Sequence, residues 1–180
     1  MRSTSFKPKF AARKRVRLAP QERPSLILDQ TAEIIPREGV CGLSMDRIGR
    51  EAGISKSLVY NFFPTMTDHL RQLLQREWRR LRCLQTEAAD RAETKEGLVR
   101  AVTYVYLTYI DERGLLIERL QAEPSVCAIH NLTEFGHESV VGCLAEIATE
   151  RYGCPPEIAQ AATDISFGLL AAAGACLLQR

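Results

Sequence analysis

Lys56, Ser57, Tyr60 and Asn61 lie one helical turn apart in two pairs, with Leu58, Val59 and Phe62 on the other side of the same turn pair. A cation, a hydroxyl, a phenol and an amide on one face can bond phosphate oxygens and base edges. They contain no nucleophile with its base and no metal-ligand set. The chemistry they offer is recognition.

Such a face needs a short helix held across another. Ser44 has the residue type of an N-cap, and Met45, Ile48 and Ala52 follow at helical spacing, which predicts a helix over 45–51. Gly53 stands where a left-handed residue lets the chain turn. Ser55 is placed to cap the next helix, and Pro64 ends it. Two short helices across a tight turn form a helix-turn-helix, whose second helix reads the major groove. An ordinary helical hairpin has no need for Lys, Ser, Tyr and Asn together outside. The candidate DNA-facing set is Ser44, Ser55, Lys56, Ser57, Leu58, Tyr60, Asn61 and Thr65, with Leu58 also counted in the inward row.

Around this motif, Ile27-Leu28, Ala32, Gly39, Leu43-Ser44-Met45, Ile48, Ala52-Gly53-Ile54-Ser55, Leu58-Val59-Tyr60, Phe63 and Leu70 stand in an order and spacing that resembles the N-terminal domain of the tetracycline-repressor (TetR) family, over about residues 25–72. The chain departs from the family at four places. Ile35 replaces an aromatic, Pro36 sits in the first helix, Gly49 replaces an alanine, and Met66 replaces a phosphate-contacting lysine. The resemblance implies a DNA-binding head followed by a helical inducer-binding domain.

Charge is unevenly spread. Residues 1–25 carry eight basic side chains and one acid, whereas the rest of the chain carries sixteen and twenty-one. A basic arm leading into a helix-turn-helix is the electrostatic footprint of a nucleic-acid binder. Arg13, Lys14, Arg15 and Arg17 are the candidates for a minor-groove contact. The arm, with Pro8, Pro20 and Pro24, reads as disordered in isolation and lacks the apolar segment of a signal peptide. Six scattered cysteines without a C-x-x-C pair read as free, buried thiols of a reducing cytoplasm.

The remaining chain has helical period throughout and no convincing strand. Ser25 is the expected cap of a first helix ending at Gly39, with Pro36 expected to distort its last turn. Thr67-Asp68 opens a long helix with an apolar stripe of Leu70, Leu73, Leu74, Trp78, Leu81, Leu84 and Ala88 and a basic outer face including Arg71, Arg76, Arg79, Arg80 and Arg82. Residues 98–110, apolar nearly all round, predict a central helix, followed by a separate short one over 115–121. Two more run over about 132–152 and 156–178. The apolar run 165–178 is shorter than the roughly 20 residues a spanning helix needs. Its small residues suit a partner subunit.

Trp78, Tyr104, Tyr106, Tyr109, Phe135, His137 and Phe167 are the candidate lining of a ligand pocket in this helical body. Glu134 and His137 have the spacing of half a di-iron site, but no second E-x-x-H exists, and no metal or cofactor is expected. The expected fold is all-α: a basic arm (1–24), a three-helix helix-turn-helix DNA-binding domain (25–72) and a helical bundle for ligand binding and dimerisation (73–180). The expected protein is a non-enzymatic, cytoplasmic, nucleoid-associated homodimeric regulator. It would bind a palindromic double-stranded DNA operator, respond to a small-molecule effector of unidentified structure, and involve no membrane. The alternative is a helical enzyme or metal-binding bundle with a helix-turn-helix-like hairpin.

Overall fold

The computed structural model describes residues 23–127 and 131–178, with side chains described outside 127 and 131–140. Eight helices run in order among these residues: α1 (Arg23–Glu38), α2 (Met45–Ala52), α3 (Lys56–Phe62), α4 (Met66–Asp90), α5 (Lys95–Gln121), α6 (Pro124–Cys127), α7 (Asn131–Tyr152) and α8 (Pro156–Leu178). No strand occurs among the described residues. The arm candidates Arg13, Lys14, Arg15 and Arg17 lie outside them, as do the side chains of Phe135 and His137.

α1, α2, α3 and the first turns of α4 enclose one core. Ile27 and Ile35 from α1, Ile48 from α2, Val59 from α3, Phe63 and Leu73 are fully buried there. α4 then continues into the body, so the expected boundary at residue 72 falls inside an unbroken helix. Pro36 does not end α1: the helix holds to Glu38, where Gly39 at φ 78° closes it with an N–H to the Ile35 carbonyl, 2.9 Å away.

The structure departs from the sequence reading at four places. The buried residues of α4 are His69, Leu70, Leu73, Leu74, Glu77, Leu81, Gln85 and Ala89, so three polar residues stand inside while Leu84 is exposed and Trp78 and Ala88 are half-buried. A stripe of that length on a straight helix drifts with the 3.6-residue period, and apolar counting followed the wrong row past Leu74. The predicted breaks around 110–115 do not exist. α5 is one 27-residue helix that runs on through Gly114, where Leu178 of α8 lies against its backbone and a Cβ would stand 2.6 Å from a leucine methyl. Nor is α5 enclosed: Val99 and Tyr104 face outward. Cys41, Cys83 and Cys176 are exposed and Cys143 and Cys154 half-buried, against the expectation of buried thiols.

α8 packs on α5 and α7. Its bounds are those expected from the sequence, with the 14-residue apolar run forming its C-terminal part. By length and composition its 23 residues could cross a membrane, and only 6% of its most apolar window is buried within the chain. Ile158, Ile165 and Leu169 stand exposed on it.

Candidate DNA interface and ligand cavity

The helix-turn-helix is built by local bonds. Ser44, in extended conformation, accepts the Arg47 N–H on its Oγ at 3.2 Å and so starts α2. Gly53 ends α2 at φ 67°, and its N–H reaches the Arg50 carbonyl at 3.1 Å. The Ile54 N–H meets the Gly49 carbonyl at 2.8 Å and folds the turn back beneath α2. Gly49 is what permits this approach. A Cβ there would stand 2.8 Å from the Ile54 carbonyl oxygen and 3.2 Å from a Val59 methyl. The departure from the family's alanine thus coincides with a tight α2–α3 contact.

Ser55 occupies the cap position of α3, but its hydroxyl makes no cap bond and pairs with Ser57 Oγ at 3.2 Å. Val59 and Phe63 anchor the underside of α3, while Lys56, Ser57, Tyr60 and Asn61 are exposed, Tyr60 to 44%. Leu58 is half-buried, with neither the full burial of Val59 nor the exposure of Tyr60. The outward row therefore has the composition read from the sequence, on a helix whose other side is fixed.

Two expected contacts have prior partners. Ser44 is engaged as the α2 cap. Thr65 caps α4, accepting the Asp68 N–H at 3.0 Å and donating its hydroxyl to Asp68 Oδ2 at 2.7 Å. The Asp68 carboxylate already answers the positive end of α4. Met66 is half-buried and packs on the head core, which explains an apolar residue where the resemblance predicts a lysine. Arg47 donates to both Glu38 oxygens, at 2.8 and 2.7 Å, tying α2 to the end of α1.

The head is joined to the body through buried polar groups that sequence reasoning missed. Glu77, completely buried, takes the Tyr109 hydroxyl on Oε2 at 2.9 Å and Arg113 Nε on the same oxygen at 3.3 Å. Its other oxygen faces Arg76 and Arg80 at 3.3 and 3.4 Å. Arg76 continues to Asp29 of α1 at 2.7 Å, and Arg119 of α5 donates to the Ile35 carbonyl at 2.6 Å. α1 is thereby bonded to both α4 and α5. Burial first, and the Glu77 charge second, push the Tyr109 phenol well above its ordinary range. A second link is Thr31, whose hydroxyl donates to the Ile27 carbonyl and therefore accepts from His69 Nε2, 2.7 Å away. His69 Nδ1 is then left without a partner. Burial, followed by the nearby Arg76, pushes this imidazole down to about 4. Outward-facing arginines at 71, 76, 79, 80 and 82 had implied a solvated basic face, but Arg76 is turned inward by these carboxylates.

A cavity of about 200 Å³ opens between α4, α5, α7 and α8. Its described lining includes Gln85, Leu98, Val102, Tyr152, Phe167 and Leu170. Of the aromatic candidates, Phe167 is there. Tyr109 is bonded to Glu77, Tyr106 is buried against Gly174, Trp78 packs on the main core, and Tyr104 is 71% exposed. Aromaticity marked core and surface as readily as cavity. Gln85 was missed because the apolar period did not include it. Among the described residues, no three His, Cys, Asp or Glu side chains gather as a metal site.

Comparison with known proteins places this geometry. Residues 27–73 match the family model described as bacterial regulatory proteins, tetR family. The HTH-type transcriptional repressor LfrR of Mycolicibacterium smegmatis is 30% identical over 112 residues, which are 61% of this chain. The chain spans 57% of the length of that relative. Among solved structures, a protein of unknown function from Rhodococcus sp. RHA1 matches with a TM-score of 0.67 and 21% identity over 93% of this chain and 89% of its own. NalD of Pseudomonas aeruginosa, the secondary repressor of the MexAB-OprM multidrug efflux pump, matches with a TM-score of 0.53 and 16% identity over 83% and 82%. These structural likenesses carry the fold through the body, beyond the matched head. The head over residues 27–73 is thus similar to the tetR family of bacterial regulatory proteins, and the all-helical body shares the fold of these solved structures.

Proposed function

We propose that this chain is a sequence-specific DNA-binding transcriptional regulator, a repressor that leaves its operator when a small molecule enters the body. The carrying observation is α3: an outward row of Lys56, Ser57, Tyr60 and Asn61 on a helix locked from beneath by Val59 and Phe63. The similarity to a transcriptional repressor supports the direction of control. Ser57 and Lys56 would meet base edges or nearby phosphates, and Tyr60, Asn61 and Ser55 the backbone. Such a regulator works at the chromosome, in the cytoplasm.

The working unit is a homodimer on a palindromic site. Two recognition helices must sit on the order of 34 Å apart, one turn of DNA. The exposed apolar side of α8 supports this assembly, because Ile165 and Leu169 face outward beside the small residues Gly168 and Ala172. A second copy laid on α7 and α8 would cover them. An effector wedged in the body could tilt α4, which joins body and head, and spoil that spacing. Effector and DNA would then oppose each other by a coupling free energy of about 1–3 kcal/mol.

The test is fluorescence polarisation with selected genomic duplexes over a range of salt. Affinity should fall steeply as salt rises, through counterion release. Tyr60→Ala should weaken binding while leaving the melting temperature unchanged. A variant that melts early and binds DNA normally refutes the orientation of α3.

A further inference from the structure

The body cavity carries one feature that packing does not account for. Gln85 is 2% exposed, lines the cavity, and has both its amide nitrogen and its amide oxygen without a hydrogen-bond partner. A buried amide left so costs folding free energy that leucine at the same place would not. The Tyr152 hydroxyl, also on the cavity lining, is a second buried group without a partner. Opposite them the wall is aliphatic and aromatic, from Leu98, Val102, Leu144 and Phe167.

The lining also limits charge. No carboxylate belongs to it among the described residues, and its one charged side chain is Lys95, an exposed residue whose Nζ lies 5.9 Å from the centre of the Tyr152 ring. A cation would enter without a counter-charge and next to a like one. A carboxylate would satisfy the Gln85 nitrogen and face the Gln85 oxygen with another lone pair. A carboxamide or lactam edge satisfies both, with its N–H donated to Oε1 and its carbonyl accepting from Nε2. The volume of about 200 Å³ is below the roughly 300–1,000 Å³ of drug-sized sites, which suits a single ring system.

We propose that this cavity binds a small, uncharged, flat apolar molecule bearing an amide-like donor–acceptor edge, and that Gln85 is the residue that selects that edge. As the identity of the effector class, this rests on the regulatory reading above; as a binding preference it stands on the cavity alone.

Three probes of nearly one shape separate the possibilities: benzamide, benzoate and benzamidinium. Titrated by calorimetry into the DNA-free full chain, benzamide should bind at least about tenfold tighter than either ion. Gln85→Leu should lose about tenfold or more in benzamide affinity while raising the melting temperature of the ligand-free protein, since it removes a buried unpaired amide. Gln85→Glu should reverse the order and favour benzamidinium. Equal binding of the three, no binding of benzamide up to its solubility, or a Gln85→Leu variant that melts earlier than the parent would overturn the proposal. A parallel polarisation measurement on duplex DNA keeps the two readings apart. Benzamide that binds through Gln85 without changing DNA affinity supports the ligand class and refutes the effector role.

Discussion

His69 gives the sharpest quantitative prediction, because its surroundings bias one protonation state strongly. It is fully buried against the edge of Phe63, with ring centroids 4.5 Å apart. Thr31 is satisfied by a proton on Nε2, and a second proton on Nδ1 would have no acceptor. The folded imidazole therefore titrates at about 4, whereas in the unfolded chain it titrates at 6.5. Between those values the unfolded state holds more protons, so stability is complete above 6.5 and is lost as pH falls toward 4. A shift of about 2.5 units corresponds to about 3 kcal/mol in all, of which about 2 kcal/mol is gone by about pH 5. Comparing two proteins that differ only at this side chain isolates its contribution. His69→Gln keeps an N–H for Thr31 and removes the titration. Urea melts of both proteins at about pH 7.5 and pH 5 should show the parent losing about 2 kcal/mol relative to the variant. A gap that stays constant, or moves the other way on acidification, refutes the assignment of a buried neutral imidazole at the α1–α4 contact.

Further outcomes follow from the same contacts. Gly49→Ala gains up to about 1 kcal/mol of helix propensity but drives a Cβ to 2.8 Å from the Ile54 carbonyl, so thermal melts should show a net loss of roughly 1–2 kcal/mol. Glu77→Gln leaves Arg76, Arg80 and Arg113 around a neutral amide. All three keep some access to water, so the loss should be about 1–3 kcal/mol, below the cost of stripping a fully enclosed pair. Ultraviolet titration of the same variant should show the Tyr109 phenol lowered, yet still above its ordinary value because burial is the larger cause. Ala172→Arg places a charge on the exposed apolar side of α8 and should abolish the dimer in sedimentation together with operator binding; a variant that remains dimeric and binds DNA sends the interface elsewhere.

The head was legible from residues 44–63 because its signals are local. A serine cap, a glycine at positive φ, a proline stop and a three-to-four-residue apolar period each act within one or two turns, and each appears in the structure near its expected place. The all-helical character of the body was legible for the same reason. What tertiary structure alone decided is which face of each long helix turns inward. Glu77 and Gln85 lie inside α4 although their types argue for solvent, because Tyr109, Arg113 and the cavity wall come from α5, tens of residues away. Tyr104, Tyr106 and Tyr109 sit on one helix and go to surface, α8 contact and buried hydrogen bond. Residue type sets the cost of burial. Only the packing of helices distant in sequence supplies the hydrogen bonds, counter-charges and space that determine where that cost is met.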